Sequence, residues 1–431
     1  MLSTERLSPA FPQHSRLDER GRLQIGGCDA IELAREFGTP LYAVAEEDLR
    51  ARARSYLDAF RARHDDFVVA YGAKANACTA VLEVFAGEGL WCDVASAGEL
   101  QLALGAGFSP ERLIVHGNAR TEEELELALG SGAGLVVVDN FDDIDRLERL
   151  TSAASGAPAG PAAAHEGQDV LVRVTPGVRP GTHASISTGQ ADSKFGLGID
   201  DAARAIERID AIEGLRLLGL HVHVGSQLME LEPFVAAVAA IAPLGSFDVY
   251  DLGGGLGVAY GAGEHPPAVE DYVAALVEAV QSALGPGKRI IVEPGRSLVA
   301  NACATLYTVV SVKRNVSVWV AVDGGMSDNL RPMLYGARYE AQVADRFGDS
   351  VPCRLVGKHC ESGDVLVHDA ALQDPEVGDV VVTPATGAYG LAMANNYNGV
   401  PRPAMVFCRD GQARLVVRRE TYDDLRARDV S

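Results

Sequence analysis

A lysine that follows an apolar segment directly is the first residue of this sequence that could do covalent chemistry. In "DFVVAYGAKANACTA" (66–80), Val68 and Val69 are typical of a buried strand, and Lys74 comes next among small residues. Desolvation by such neighbours would favour the neutral, nucleophilic form of the amine. Taken alone, Lys74 is more simply a surface lysine, so its interpretation depends on the residues that accompany it.

Two glycine-containing segments provide what a phosphate group needs. "DLGGGLG" (251–257) and "EPGRS" (293–297) each follow a strand-like run, and Gly254, Gly255 and Gly295 would let backbone N–H groups approach phosphate oxygens. A tight turn is the simpler explanation of such glycines. Neither GxGxxG nor a Walker lysine is present, which argues against dinucleotide-binding and P-loop sites.

A lysine combined with a phosphate site suggests pyridoxal phosphate, because the aldehyde of this cofactor condenses with a lysine amine. Glu293 strengthens the interpretation. A carboxylate beside the pyridine nitrogen keeps that nitrogen protonated, and the ring can then accept the electrons left when CO2 departs. An arginine at this point would suit a racemase, so Glu293 favours a decarboxylase.

The elements that must position these residues alternate between short apolar runs and amphipathic stretches. Eight strand-like runs lie near residues 67–72, 91–95, 112–116, 135–139, 169–175, 217–224, 247–252 and 289–294. Most intervening segments have helical spacing, and Thr121 with Glu124 predicts a capping box at one helix start. Eight such repeats predict a (β/α)8 TIM-type barrel with its active site at the strand ends, although a doubly wound sheet would show the same alternation.

The chain beyond residue 305 has a different pattern. Its period-two and β-branched runs are separated by turn residues and predict a mostly β domain. The expected fold class is therefore α/β, with a barrel over 46–305 and a C-terminal β-sandwich or barrel-like domain over 306–431. The Ala/Gly/Pro-rich stretch 151–168 is typical of a surface insertion.

Composition narrows the class of protein. The 431 residues are 47% hydrophobic, enough for two domains, and the net charge of −21 argues against binding to nucleic acid or to an anionic membrane. The seven cysteines are scattered without CxxC spacing, so neither a metal site nor a disulfide framework is predicted. The longest apolar stretch, 234–247, is too short to span a bilayer, and we expect a cytoplasmic protein.

Taken together, the motifs resemble those of the diaminopimelate decarboxylases, a family of pyridoxal-phosphate-dependent decarboxylases with the barrel fold (fold type III). The matches run in order from about residue 20 to 405. They are "YGAKANACTA", "VHGNART", "SKFGLG", "HVHVGSQ", "DLGGGLG", "EPGRSLVA", "DGGMSDNLRPMLYGA", "CESGD" and "GAYGLAMANNYNG". The resemblance implies decarboxylation of meso-2,6-diaminopimelate to L-lysine and CO2, a step of lysine biosynthesis.

The resemblance also implies roles for individual residues. Lys74 would form the Schiff base, His223 would stack on the cofactor ring, and Glu293 would meet the pyridine nitrogen. The residues expected around the cofactor are Lys74, Asp93, His223, Ser226, Gly254, Gly255, Glu293, Gly295, Arg296 and Tyr389. The N-terminal segment, residues 1–45, would pack with the β domain.

Substrate contacts are implied in the same way, for Arg296, Arg331, Tyr335, Glu361 and Tyr389. Arginine binds a carboxylate with two parallel hydrogen bonds, which suits the distal carboxylate of a dicarboxylic diamine. Cys360 is the candidate proton donor after CO2 loss, although without the motif it would be an ordinary cysteine. Cys360 and Glu361 would reach the site of the other subunit, so the resemblance implies a homodimer with shared active sites.

Several alternatives stay open at the level of the sequence. A related decarboxylase acting on D-ornithine, D-lysine, arginine or carboxynorspermidine would share the same machinery, because substrate choice depends on a few distal contacts. A catalytically silent pyridoxal-phosphate-binding protein is a second alternative, but such proteins are single barrels without "CESGD". The segment "VGKHCESGD" departs from the Gly-Pro pattern common before this cysteine, so the role of His359 is open. His116 and His221 are expected to be core residues.

Overall fold

The computed structural model describes residues 7–154, 167–178 and 193–430. The chain forms two compact units: the first consists of residues 1–51, 258–265 and 296–431, and the second consists of residues 52–257 and 266–295. The boundaries predicted near residues 45 and 305 stay predictions. Most of the predicted insertion, residues 155–166, lies outside the described residues.

The N-terminal residues form a small sheet, a helix and one longer strand. Strands β1 (Ser15–Leu17), β2 (Leu23–Ile25) and β3 (Cys28–Asp29) form a three-stranded antiparallel sheet. Helix α1 (Ala30–Phe37) follows at once, because the Asp29 side chain accepts hydrogen bonds from two backbone N–H groups of the first turn. Strand β4 (Leu41–Ala45) is buried along its whole length.

The second unit is a closed barrel of eight parallel strands, as the sequence predicts. In chain order they are β5 (Phe67–Gly72), β6 (Trp91–Val94), β7 (Leu113–Val115), β8 (Leu135–Val138), β9 (Gln168–Val174), β10 (Leu215–Val222), β11 (Val249–Asp251) and β12 (Arg289–Val292). Each strand pairs with its neighbour in the sequence, and β12 pairs with β5 to close the ring. The doubly wound alternative is thereby excluded.

Helices separate consecutive strands of the barrel. Helix α2 (Glu46–Arg61) precedes it, followed by α3 (Thr79–Gly87), α4 (Ala97–Gly105), α5 (Glu122–Ser131), α6 (Phe141–Ala154), α7 (Ile199–Asp210), α8 (Glu232–Ile241) and α9 (Val269–Ala283). The capping box predicted for Thr121 and Glu124 is confirmed at the start of α5. In α9, the residues at helical spacing from Tyr272 to Val280 are buried, so a single apolar stripe faces the barrel.

Side chains that point inward from the strands fill the barrel. This core contains Val68, Ala70, Ile114, Leu135, Val137, Leu171, Val249 and Ile291. These residues are mostly branched and apolar, and the two from β5 alternate along the strand, as the two-residue period of a strand requires. The polar residues of the unit are therefore concentrated beyond this layer, at the carboxyl ends of the strands.

The remaining strands belong to the first unit. After α10 (Arg296–Val299) come β13 (Cys303–Arg314), β14 (Val318–Val322), α11 (Arg331–Tyr335), β15 (Gln342–Val343), β16 (Val351–Val356), β17 (Val365–Leu372), β18 (Val380–Pro384), β19 (Ala404–Arg409), β20 (Gln412–Val417) and α12 (Tyr422–Arg426). They form a nine-stranded mixed sheet in the order β17-β16-β14-β13-β4-β19-β20, with β18 and β15 branching from β13. The predicted mostly β C-terminal domain is confirmed.

Strand β4 holds a central position in this sheet. It pairs antiparallel with β13 and parallel with β19, and its inward residues join a core with α1 and the small sheet. Among the described residues, no helix combines the length and the apolar character needed to cross a membrane.

Candidate active site

Polar side chains converge at the carboxyl ends of the barrel strands. Lys74 lies in a 3₁₀ turn, Ala73–Ala75, directly after β5, and Asp93 lies within β6. His221 belongs to β10, and Glu293 follows β12 immediately. Because all eight strands are parallel, their carboxyl ends meet at one end of the barrel.

These residues surround one cavity of about 300 Å³. It is lined by Lys74, Asp93, Ala95, His116, Gly117, Asn118, Ala119, Arg120, Glu124, Arg173, Phe195, His221, His223 and Glu293. An amine, three carboxyl groups and three imidazoles thus face a volume large enough for a small aromatic ring with substituents.

Lys74 reaches this cavity with an exposed side chain, whereas Ala73 and Ala75 on either side of it are buried. The expectation that small apolar neighbours desolvate the amine is therefore wrong. The turn buries the methyl groups of Ala73 and Ala75 and points the Lys74 side chain into the cavity. Burial raises the pKa of Asp93 and of Glu99, and the charge of Lys74 partly opposes that rise at both carboxyls.

Glu293 is buried and held by two imidazoles. Its Oε1 lies 2.5 Å from Nε2 of His116, and its Oε2 lies 3.3 Å from Nε2 of His221. His116 also lies 3.7 Å from Asp93, and the two imidazole rings meet at 65° with centroids 4.8 Å apart. His116 and His221 are buried, as expected, and both contact Glu293.

The electrostatics of this group follow from burial and from its mutual contacts. Burial lowers the pKa of His221 to about 3, so its imidazole is neutral. Burial opposes the charge of Glu293 as well, but the two imidazoles hold its pKa well below the ordinary value. Burial raises the pKa of Asp93 to about 6 and that of Asp251 well above its usual range. Glu293 is thus the carboxyl of this group whose ionised form is the most strongly favoured.

His223 is oriented by the glycine segment that follows β11. The Gly254 N–H donates to Nδ1 of His223 at 3.1 Å, which leaves the proton of the neutral ring on Nε2. Burial lowers the pKa of His223 well below its ordinary value, so the ring stays neutral and apolar enough to contact an aromatic face.

Backbone packing explains two of the glycines. A Cβ on Gly254 would lie 2.2 Å from the carbonyl oxygen of Glu293, and one on Gly255, at φ +124°, would lie 2.4 Å from the carbonyl oxygen of Gly225. The loop that carries Ser226 is held against this segment, because the Leu228 N–H donates to the carbonyl of Gly255 and the Gly257 N–H donates to the carbonyl of Leu228. The site therefore combines closely packed loops with backbone N–H groups, the arrangement that binds phosphate in barrels.

These residues fit pyridoxal phosphate. Lys74 is an accessible amine for its aldehyde, Glu293 is an ionised buried carboxylate for its pyridinium N–H, and the segment Gly253–Gly255 offers a cradle that a side chain would fill. Oδ2 of Asp251, which is also buried beside Glu293, has no hydrogen-bond partner among the described residues.

The first unit contains a separate cluster of cations and aromatic rings. Nη1 of Arg296 donates to the Tyr260 hydroxyl at 2.6 Å, and Arg331 donates to the Tyr339 hydroxyl. The guanidinium of Arg296 also lies 5.0 Å from the ring centre of Tyr389. Arg296 and Arg331 are both buried, so the predicted substrate arginines and Tyr389 come together.

Three further predicted residues lie elsewhere in the first unit. Tyr335 ends α11 and is half-buried. Cys360 and Glu361 are exposed; the backbone N–H of Cys360 donates to Oδ1 of Asn398, and the Tyr397 hydroxyl donates to Glu361.

His359, whose role the sequence leaves open, holds the loop that carries Cys360 and Glu361 in place. Its Nδ1 lies 2.9 Å from Oδ2 of Asp364, and its ring stacks on Tyr397 at 6.0 Å. Asp364 also accepts hydrogen bonds from the backbone N–H groups of His359 and Met326. His359 and Asp364 therefore fix the backbone conformation next to Cys360.

Sequence reasoning missed Arg173, Tyr260 and Tyr339. Arg173 lines the barrel cavity from β9, with Nη1 3.5 Å from Asp139. An arginine within the predicted barrel strand 169–175 could have been recognised from the sequence as a site residue, because a buried cation needs a partner. Tyr260 and Tyr339 carried no comparable signal, since tyrosines in loops have many functions.

An amine, an imidazole and an ionised buried carboxylate at the end of a parallel barrel are the groups of a pyridoxal-phosphate enzyme with the barrel fold. Residues 46–300 match the family described as pyridoxal-dependent decarboxylase, pyridoxal binding domain. The diaminopimelate decarboxylase of Actinosynnema pretiosum subsp. auranticum is 46% identical, covering 97% of this chain and 95% of its own length. That of Bacillus subtilis strain 168 is 44% identical, covering 95% and 96%.

A solved structure gives the same result. The diaminopimelate decarboxylase of M. jannaschii in complex with L-lysine superposes with a TM-score of 0.89 at 33% identity, covering 97% of this chain and 98% of that one. The chain belongs to the diaminopimelate decarboxylase family.

Proposed function

We propose that this protein removes CO2 from meso-2,6-diaminopimelate to give L-lysine, with pyridoxal 5'-phosphate as its cofactor. The observation that carries the proposal is the convergence of Lys74, His223 and ionised Glu293 on one cavity at the end of the barrel. The relatives named diaminopimelate decarboxylase extend over nearly the whole chain, and the M. jannaschii structure holds L-lysine, the product of this reaction.

Pyridoxal phosphate, when bound, supplies an aldehyde for an amine and a ring that accepts the electrons of the broken carbon–carbon bond. Lys74 provides the amine that holds the cofactor in place. Glu293 keeps a proton on the pyridine nitrogen, because its own carboxylate stays ionised between His116 and His221. His223 is fixed by Gly254 for contact with the ring face.

The substrate carries a carboxylate and an amine at each end, so one end must be bound while the other reacts. We assign Arg296 and Arg331 to the carboxylate that is retained, since a guanidinium offers two parallel donors to a carboxylate. We assign two further substrate contacts, Tyr335 and Tyr389. The further residues that we assign to the surroundings of the cofactor are Asp93, Ser226, Gly255 and Gly295.

We also propose a homodimer with shared sites. Cys360 and Glu361 are exposed in the single chain, on a loop that His359 and Asp364 fix, and so are available to a second copy. Cys360 is assigned as the donor of the proton that replaces CO2, and Glu361 as a partner of the distal ammonium. The seven free cysteines support a cytoplasmic location, where thiols stay reduced.

The test is Lys74→Ala in the protein purified with cofactor. We expect loss of the visible absorbance of the bound cofactor and of CO2 release from meso-diaminopimelate. Lys288→Ala is the matched control, because Lys288 lies in the same unit just before β12, at the opposite end of the barrel, and should retain both signals. Retention of either signal by the Lys74 variant would contradict the assignment.

Shared sites are tested by mixing subunits. Cys360→Ala and Lys74→Ala proteins, each inactive alone, should regain part of the activity after exchange, because a mixed dimer contains one site with both native residues. Absence of recovery after exchange has been verified with differently tagged chains would refute the shared site.

A further inference from the structure

Two tyrosines, Tyr260 and Tyr339, hold both arginines of the cluster in the first unit. The Tyr260 hydroxyl accepts a hydrogen bond from Arg296 at 2.6 Å, while its ring centre lies 4.7 Å from the guanidinium carbon of Arg331. The Tyr339 hydroxyl accepts a hydrogen bond from Arg331, and the two tyrosine rings meet at 80° with centres 5.1 Å apart. One aromatic pair thus contacts both cations, and we call these four residues the arginine clamp.

The charge of the clamp is not balanced at Arg331. Within the described residues, no carboxylate lies within 4.0 Å of this guanidinium, although the side chain is only 6% exposed. Burial opposes the positive charge, but Tyr339 and Tyr260 hold the pKa of Arg331 above its ordinary value. A buried cation whose acceptors are a neutral hydroxyl and ring faces keeps donors for an incoming anion.

We propose that Tyr260 and Tyr339 are positioning residues that aim Arg296 and Arg331 at the retained carboxylate of the substrate and thereby determine specificity for it. A guanidinium on a flexible stem loses conformational freedom when it binds, and a fixed guanidinium has lost that freedom beforehand. The tyrosines act through the arginines and therefore favour ligands with a carboxylate at that end over those without one. This inference rests on the proposed function.

The test uses Tyr260→Phe and Tyr339→Phe, which keep the rings and remove only the acceptors for Arg296 and Arg331. Tyr250→Phe is the matched control, because Tyr250 is equally buried and its hydroxyl contacts the backbone of Gly245 and Phe247 instead. Holoenzymes are compared by steady-state kinetics with meso-diaminopimelate. Binding of L-lysine, which retains the carboxylate, and of 1,5-diaminopentane, which has none, is measured by cofactor absorbance.

We expect each clamp variant to raise the KM for meso-diaminopimelate and the Kd for L-lysine about tenfold, as for the loss of one hydrogen bond to a charged group, with kcat changed less than about threefold. The Kd for 1,5-diaminopentane should stay as in the wild type, and the control should change none of these values. Equal weakening of L-lysine and the diamine, or no change for either, would overturn the inference.

The same measurements separate this inference from the proposed function. Wild-type enzyme that releases no CO2 from meso-diaminopimelate refutes the proposed function, whatever the variants do. The selectivity for L-lysine over 1,5-diaminopentane is a binding measurement that needs no turnover. If the wild-type protein lacks this selectivity, the inference about the arginine clamp is overturned as well.

Discussion

Asp93 offers the sharpest test of the electrostatics described above. It is 5% exposed at the end of β6, beside Glu293 and His116. Burial raises its pKa from the ordinary 3.8 to about 6. Folding therefore opposes the ionised form, and replacing Asp93 by Asn removes a charge that the folded protein holds at a cost.

The magnitude follows from the two pKa values. Below pH 3.8 the carboxyl is protonated in both states and costs nothing; as the pH rises through about 6 the cost grows and then stays constant. A difference of about two pKa units at 1.36 kcal/mol each corresponds to about 3 kcal/mol at pH 8 and to about half of that at pH 5. Asp93→Asn should stabilise the folded state by these amounts.

The assay is urea unfolding of cofactor-free protein between pH 5 and 8. The sequence has two tryptophans, Trp91 on β6 and Trp319 on β14, so a Trp319→Phe background makes the fluorescence report on the barrel alone. The exposed Asp65, just before β5, gives the control Asp65→Asn. A stability difference for Asp93→Asn that does not change with pH, or that favours the wild type at pH 8, would refute the reasoning.

Two further predictions concern the cofactor site. Gly254→Ala places a methyl group 2.2 Å from the Glu293 carbonyl oxygen, so it should destabilise the barrel by about 1–3 kcal/mol. It should also weaken cofactor binding at least tenfold, as measured by fluorescence titration. Gly130→Ala is the control, because a Cβ at Gly130 meets nothing within 4 Å. Glu293→Gln should keep the cofactor bound but lower kcat about a hundredfold or more, because a neutral amide does not hold a proton on the pyridine nitrogen. A Gln variant with native kcat would exclude that role.

The barrel could be predicted from the sequence because its eight strands and the stripe of α9 follow simple periods. The site at the strand ends follows from the same topology, since parallel strands bring distant residues such as Lys74 and Glu293 to one end. The position of His221 at the site could also have been predicted from the sequence. His221 lies on β10 and His223 is the first residue after it, so the two-residue period of an extended chain predicts that both point to the same side.

Other features depend on local geometry that the sequence does not specify. The exposure of Lys74 depends on the 3₁₀ turn Ala73–Ala75, which separates its direction from that of its neighbours. Tyr339 contacts Arg331, eight residues away, because Gly336 ends α11 in the left-handed region and turns the chain back. No periodicity indicates which of two nearby tyrosines such a turn will bring to the arginine.

The central position of β4 affects the order in which the chain can fold during synthesis. The barrel is built from consecutive segments, so its strands can pair as they leave the ribosome. Strand β4 emerges before all of them, but its partner β13 is made only after the last barrel strand, and its partner β19 only near the end of the chain. Leu41–Ala45 must therefore remain an unpaired apolar segment until β13 is made, and a nascent chain stalled before residue 303 would expose it to chaperones or to aggregation.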